Sequence, residues 1–562
     1  MKTSNLGKKA PNIKAITAIN EARQHETAGN KIAALDAFDR AKAAAVGNLD
    51  LLTVIADGFS ELGERDRAIS VLQEALQHTE PNETVLTVIG RLAQRMDMHE
   101  IAVKVFRAAI SLNPNDSAHY VNLANSYRLM EKYDEAIELI QSILPMMPEE
   151  ASLWNILATM LYHGKKDYEN ANIFYQEAYR LAPNNDQVLL NIANFSGDKK
   201  TAQDFYQKAI AANPQSHEAH MGLALLLLND GDLKSGWKHY EHRLQMDTSY
   251  STAVAATNKL RPWNGGDLKN KCLLVMPEQG IGDEILFATN FPRLLKECKK
   301  LFIGCDPRLE TIFKRSFPEA VIAPYKDSRR EGRRYRSFPT IEDDQGNIKD
   351  ANCAIWAGSV PKYFWTDTQL LPQFPNGFLK ADPVLVEKFG ARMRAPGDGP
   401  YIGLSWRSGN VSFGRDSDYI GLRGAHLLLR WFGNRSSFFC LQYGWQQDEI
   451  DYMEEKSERK IQIFDDVDLK DNIEANLAIM ANLDVVIGPP IATQQFAIAL
   501  GRKTKMIVGG APWWNFGKSQ KECPDLAPHS QWFQPSGDNF EVPIKAVIEQ
   551  LHEAFPNAKL RT

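Results

Sequence analysis

Cys272-Leu273-Leu274-Val275-Met276-Pro277-Glu278-Gln279-Gly280-Ile281-Gly282-Asp283-Glu284 is the stretch that organises the chain. The first five residues are an apolar run of strand length. Two glycines follow in a tight turn, and then Ile285, Leu286, Phe287, Phe291, Leu294 and Leu295 recur at helical spacing. Strand, glycine turn and helix open a nucleotide-binding α/β unit. Gly280 and Gly282 permit positive φ and let backbone approach a ligand closely. Glu278, Asp283 and Glu284 put carboxylates around the helix start. Two roles stay open for Asp283: a helix cap worth ~1 kcal/mol, or a general base in a ligand cleft. Glu278 beside it is the second catalytic candidate.

At 562 residues the chain exceeds a single core and implies three or four domains. Its 44% hydrophobic and 24% charged residues are ordinary for a globular protein. A net charge of −5 gives no general case for nucleic acid or an anionic membrane. The six cysteines, 272, 298, 305, 353, 440 and 523, form no Cys-x-x-Cys pair and read as buried thiols in a reducing compartment. Residues 1–14 lack the apolar stretch of a secretory signal and read as a disordered start. No run of 18 apolar residues exists to span a bilayer. The expectation is a cytoplasmic protein.

Residues 15–245 are self-similar. Ala, a bulky residue four later, a small or apolar residue three later and Pro five later give Ala102-Phe106-Ala109-Pro114 and Ala136-Ile140-Ile143-Pro148. The same spacing gives Ala171-Tyr175-Ala178-Pro183 and Ala202-Tyr206-Ala209-Pro214. Pro81, Pro114, Pro148, Pro183 and Pro214 are 33, 34, 35 and 31 residues apart. Small residues let paired helices approach, the bulky residue fills the gap, and Pro stops the second helix. One hairpin cannot bury its apolar face, so hairpins stack. This resembles a tetratricopeptide-repeat array of six or seven units. The Pro183–Pro214 unit is short, with its first helix interrupted near Ser196-Gly197-Asp198. The concave face of such an array suits an extended peptide. Asn122, Asn125, Asn191 and Asn194 lie on first helices and could both donate to and accept from a peptide backbone, or serve the fold alone. Asn155 falls one position out of phase with them.

Asp232, Trp237 and Tyr240 close the array on a capping helix, and residues 246–270 read as a linker. Residues 271–377 then form one α/β unit, with strands at Leu301–Cys305 and Val321–Ala323 and a helix near 309–317. Residues 326–350, with Arg329, Arg330, Arg333, Arg334 and Arg336, read as a surface loop or a contact for an anion. Residues 378–562 form a second unit. It opens with Tyr401–Ser405 and a loop holding Arg407, Ser408, Gly409, Asn410 and Arg415, which suits an anionic ligand at a sheet edge. Arg407 could grip a diphosphate bidentately. Gln442, ending the Phe438–Leu441 strand, is placed to read a base or ribose. Asp466-Val467-Asp468 has the look of a metal motif but lacks the further oxygen ligands one needs, so no metal is expected. Asp471 or Asn472 caps the next helix. Asp484–Gly488 is a buried strand, and the helix after Pro489-Pro490 offers free N–H groups to a phosphate, with Thr493 and Gln494 as added donors. Trp513-Trp514 stack, on a packing neighbour or on a ligand, and a closing helix spans 542–554.

Two such units with ligand loops facing a cleft resemble the two-domain glycosyltransferase architecture called GT-B. Glu278–Glu284 after a strand, Gly403-Leu404-Ser405-Trp406-Arg407-Ser408-Gly409, and the Gly-Trp…Tyr-Glu-x-Arg joint together resemble bacterial tetratricopeptide-repeat glycosyltransferases. The catalytic half is similar to heptosyltransferases, and the architecture to the O-linked N-acetylglucosamine transferases. The resemblance implies an α superhelix followed by two Rossmann-like domains. It implies inverting, metal-independent transfer from a nucleotide sugar, with no other cofactor and with Asp283 as base toward a Ser or Thr hydroxyl. It also implies an acceptor protein, flagellin among the candidates, held by the repeats. Relatives often carry Asp-Thr and then His where this chain has Pro489–Gln495. Two rivals remain: an inert α/β half on a repeat scaffold, and a transferase for glycans or lipid-linked sugars.

Overall fold

The computed structural model describes residues 12–27, 31–62, 64–78, 83–246, 254–256, 260–330, 333–343, 347–394, 399–408, 419–432, 435–509, 527, 529–534 and 540–558. The chain divides into two compact units. Residues 1–222, 242–255 and 327–336 make the first, and 223–241, 256–326 and 337–562 the second.

Among the described residues, fourteen α-helices precede the first strand: α1 Ile13–Thr27, α2 Lys31–Ala44, α3 Leu49–Glu61, α4 Arg65–His78, α5 Glu83–Arg95, α6 His99–Leu112, α7 Ser117–Leu129, α8 Tyr133–Ile143, α9 Ala151–Met160, α10 Tyr168–Leu181, α11 Asp186–Phe195, α12 Lys199–Ala212, α13 His217–Asn229 and α14 Leu233–Tyr240. Their small and aromatic positions do what the spacing demands. A Cβ on Gly90 would lie 2.6 Å from the Phe106 ring, and one on Gly222 only 2.3 Å from Tyr206. A second recurrent device is a side chain six residues after the repeat proline that bonds its carbonyl. The Tyr120 hydroxyl donates to Pro114 O at 3.1 Å, Trp154 Nε1 donates to Pro148 O at 2.8 Å, and His220 Nε2 lies 3.3 Å from Pro214 O. The Ser196–Asp198 segment is no interruption. It is the turn between α11 and α12, and Asp198 caps α12 by accepting from Thr201 N–H at 2.8 Å. The unit is short because α11 itself is short.

A three-stranded sheet of order β1-β7-β6 joins β1 Val254–Ala256, β6 Lys326–Arg330 and β7 Arg333–Ser337. It corrects two expectations. Part of the linker is a strand, and the arginine-rich stretch is paired sheet with Arg336 buried and ion-paired to Asp327 at 3.2 Å.

The second unit holds two parallel sheets. The first has order β2-β8-β3-β4-β5, from β2 Arg261–Pro262, β3 Cys272–Met276, β4 Lys300–Cys305, β5 Val321–Pro324 and β8 Cys353–Trp356. Its helices include α15 Ile281–Ala288, α16 Phe291–Glu297, α17 Glu310–Ser316 and α18 Pro361–Phe364. The second has order β11-β10-β9-β12-β13-β14, from β9 Tyr401–Leu404, β10 Ser437–Cys440, β11 Ile461–Gln462, β12 Val485–Gly488, β13 Lys503–Ile507 and β14 Ser530–Phe533. With it go α19 Pro383–Arg394, α20 Gly421–Phe432, α21 Gln447–Ser457, α22 Ile473–Ala481, α23 Ala492–Ala499 and α24 Glu541–Ala554. Central strands such as β4 and β12 are apolar nearly throughout because parallel strands are covered on both faces. Ile544, Val547 and Leu551 of α24 join the second sheet's core.

α14 belongs to this second unit. Asp232 caps it, accepting from Ser235 N–H at 3.1 Å. Buried Trp237 packs edge-on against Trp365 and Phe287, with ring centroids 5.5 Å and 6.4 Å away.

The repeat packing yields a test. Gly90→Val would drive a branched side chain into the fully buried Phe106 ring. Overpacking of that kind costs ~1–3 kcal/mol, so the first thermal transition of the full chain, followed by far-ultraviolet dichroism, should move down by several degrees.

Candidate active site

In an open parallel sheet, ligands bind at the carboxyl ends of the strands where the chain order reverses. In the first sheet the reversal lies between β3 and β8, and the residues after β3 are the organising stretch. Glu278 is buried there, and its Oε1 accepts from Gly358 N–H at 2.8 Å, which ties the β3 loop to the β8 loop. Glu284 Oε2 accepts from Asp306 N–H at 2.8 Å and ties α15 to the β4 loop. Gln279 Nε2 donates to the Tyr240 hydroxyl at 2.7 Å. Three of the stretch's polar side chains thus fix the turn. Asp283 is half-buried in the first turn of α15.

The helix cap is Gly280, with φ −76°, so Asp283 is not the cap. The glycines also differ from expectation, since neither adopts positive φ. Gly282 serves a close approach instead: a Cβ there would lie 3.3 Å from Ala492 Cα and 3.4 Å from its Cβ. The start of α15 therefore meets the start of α23. A Cβ on Gly280 would lie 3.8 Å from Asp283 Oδ2, so the carboxylate stands over bare backbone.

In the second sheet the reversal lies between β9 and β12. Ser405 directly follows β9 and Gly488 ends β12. A Cβ on Gly488 would strike Ser405 Oγ at 2.3 Å and Gln494 Nε2 at 2.6 Å. Ser405 and Gln494 are fully buried, and Gln494 Nε2 donates to Ser405 Oγ at 3.3 Å. Gln494 Oε1 is buried with no hydrogen-bond partner. Thr493 beside it is buried as well.

Other expected ligand groups are committed within the chain. Arg407 Nε and Nη2 donate to the Glu449 carboxylate at 2.7 Å and 2.8 Å, and Nη2 also reaches Gly444 O at 2.9 Å. The guanidinium is held by a carboxylate on α21, not held out for a diphosphate. Burial pushes the Glu449 carboxyl up, but the bonds from Arg407, Gln446 N–H and Trp406 Nε1 outweigh it and hold it below the usual range. Gln442 is fully buried. Its Oε1 accepts from Trp406 N–H and Arg407 N–H, both at 3.0 Å, and its Nε2 donates to Tyr443 O. It shapes the β9 loop and presents nothing to a base. Ser408 Oγ lies 3.5 Å from the Tyr443 hydroxyl. Gly409, Asn410, Arg415, Trp513 and Trp514 lie outside the described residues.

Asp466 is bonded bidentately by Arg392 at 2.7 Å and 2.9 Å, and Asp468 Oδ1 accepts from Lys470 and Asp471 N–H. Asn472 is the cap of α22. The two sheets are bridged nearby. Arg308 reaches Asp471 at 3.2 Å, while Thr311 and Arg315 reach Glu474 at 2.6 Å and 2.5 Å.

In the repeats, Asn191 Nδ2 donates to Asn155 Oδ1 at 3.1 Å, so the residue that looked out of phase pairs across neighbouring units. Asn194 Oδ1 accepts from the Tyr206 hydroxyl at 2.7 Å, and Asn125 Oδ1 from Arg128 Nε at 3.4 Å. Asn122 keeps a buried Nδ2 with no partner. Sequence reasoning assigned nothing to Gln279, Ser405 or Glu449. Only Glu449 carried a signal, as the third residue after Gln446 in a capping box.

Tetratricopeptide repeat models match residues 84–116, 105–138, 122–186 and 195–236. The chain contains tetratricopeptide repeats. It is similar to Protein FlbA of Caulobacter vibrioides, 29% identical over 83% of this chain and 78% of that protein. BBSome complex member BBS4 of Bos taurus is 25% identical over 33% of this chain, and the match spans only 36% of its length. Protein O-mannosyl-transferase TMTC3 of Homo sapiens is 23% identical over 35% of this chain and 20% of its own. Among solved structures, MamA protein matches 30% of this chain and 92% of its own at 18% identity and TM-score 0.22. Yeast Tom70 matches 42% and 52% at 20% identity and TM-score 0.32. Among the described residues, no helix is long and apolar enough to cross a membrane.

Because the folded Glu449 carboxyl titrates below its unfolded value, the pair stabilises above that unfolded value, near ~4.3, and loses its effect as pH falls through the folded one. Glu449→Gln should lower the melting temperature most at neutral pH. The gap to the parent should narrow steadily below about pH 4. A gap independent of pH would mean the pair contributes through packing alone.

Proposed function

We propose that the chain is a protein O-glycosyltransferase. In this reading the repeats hold an acceptor protein, and the α/β half, as two Rossmann-like domains in GT-B arrangement, transfers a sugar from a nucleotide-sugar donor. The observation that carries it is the meeting of α15 and α23 at Gly282 and Ala492, which brings the reversal points of two parallel sheets to one place. Asp283 lies in the first turn of one of these helices. The first-turn N–H groups of the other suit the donor's phosphates. The resemblance to repeat-bearing glycosyltransferases supports it, as does the name of TMTC3, though that match covers a fifth of the relative.

In the reaction, the Asp283 carboxylate takes the proton of a Ser or Thr hydroxyl as that oxygen attacks the anomeric carbon. The bond from that carbon to the diphosphate breaks, and its electron pair stays on the leaving phosphate oxygen. The charge developing there is met by the α23 helix start. Thr493 and Gln494 position that turn, and Glu278 positions the opposing loop. Flagellin is the first acceptor to try, and a cytoplasmic setting follows from a nucleotide-sugar donor.

The inert-scaffold reading draws on one observation, the commitment of Arg407 to Glu449. One experiment separates the two. Intact masses of candidate acceptors are compared between cells carrying the parent gene, no gene, and Asp283→Asn. Transfer predicts a sugar-sized increment in the first case only, while a nucleotide panel still raises the variant's melting temperature. Equal increments with the parent and Asp283→Asn would remove Asp283 as the base. No increment on any protein, and no nucleotide stabilisation, would leave the scaffold.

A further inference from the structure

The repeat array carries a polar cluster that its own periodicity does not call for. Five residues after the repeat proline, the other units place Leu153, Val188 and Ala219, all buried hydrocarbon. The α7 unit has His119 at this position, with 2% of its surface exposed. An imidazole at a core position is costly without a compensating partner. Two carboxylates converge on it. His119 Nε2 lies 3.0 Å from Glu83 Oε1, on the first turn of α5, and 3.8 Å from Asp116 Oδ2, the cap of α7. Neither ring nitrogen makes a hydrogen bond, so the 3.0 Å approach lacks the alignment of one. The three groups can each offer one ligand atom within 4.8 Å of the others.

The far oxygens are already held. Asn113 Nδ2 donates to Glu83 Oε2 at 3.0 Å, and Ala118 N–H donates to Asp116 Oδ1 at 2.9 Å. Outer bonds of this kind orient metal ligands. Both carboxylate side chains are more than a third exposed, at 38% and 36%, so an ion can enter from solvent. One imidazole with two carboxylates suits a first-row divalent cation, with water completing the shell.

We propose that Glu83, Asp116 and His119 bind a zinc-type divalent cation that clasps two successive repeats. The site lies in the repeat array and is independent of the transfer reaction. The test uses the full chain, stripped with chelator and titrated with zinc(II) by calorimetry and with cobalt(II) by visible absorption. The expected result is a zinc equivalent that raises the melting temperature and is lost in His119→Leu. Leucine already fills the equivalent position at 153, so this variant should fold. Glu83→Gln, which keeps the imidazole, should weaken zinc at least ~10-fold, the scale seen on losing even an outer-shell partner. Parent and His119→Leu binding the same amount of zinc would overturn the site. So would a parent stabilised by lowering pH through the histidine range but not by zinc, which would mark a simple imidazolium pair.

Discussion

The contact between α15 and α23 is the constraint on which the α/β half depends. Two helix starts can come this close only where one residue lacks a side chain, and that residue is Gly282. Each helix follows the strand at which its sheet reverses order, so one missing Cβ sets where both carboxyl-end crevices lie. The bridges from Arg308, Thr311 and Arg315 to the α22 region add polar ties to the same arrangement. Backbone joins them as well: Phe378 N–H and Leu379 N–H both donate to Ala499 O, at 2.7 Å and 2.9 Å. Apolar contact, ion pairs and main-chain bonds thus hold the two sheets in one register.

Around this contact, most polar side chains work for the architecture. Glu278, Glu284, Gln442 and Ser405 are buried and bonded to groups in other segments. Such commitment gives a rigid rim, because a buried polar group that moves loses its partner and its solvation together. Asp283 and the first turn of α23 lie at helix starts beside this rim.

The repeat fold was legible because its signals are local: alanine, aromatic and proline at fixed spacing, each deciding a contact within one or two helices. Most parallel strands were legible as short apolar runs; β2, two residues inside the linker, and β14, with alternating Ser and Gln, were not. The β1-β7-β6 sheet was not, because arginine-rich residues mimic a solvent loop until Arg336 is seen buried against Asp327. The site residues were legible by position and not by partner. Arg407 finds Glu449 42 residues away, and Gln442 finds the Trp406 amide 36 residues back. Nothing in local spacing encodes pairings made by adjacent strands. Asn155 shows the same limit inside the repeats: offset by one position, it still pairs with Asn191 36 residues on.

The aromatic packing of Trp237 against Phe287 and Trp365 makes α14 part of the α/β unit, although its sequence reads as the end of the array. Upstream hairpins can be gained or lost in the course of evolution without disturbing the sheets, since each meets only its neighbours. The final helix has no such freedom. A recombination joint placed after Tyr240, where composition suggests one, would strip two large rings of their cover, so any viable exchange of repeat arrays has to cut ahead of Asp232.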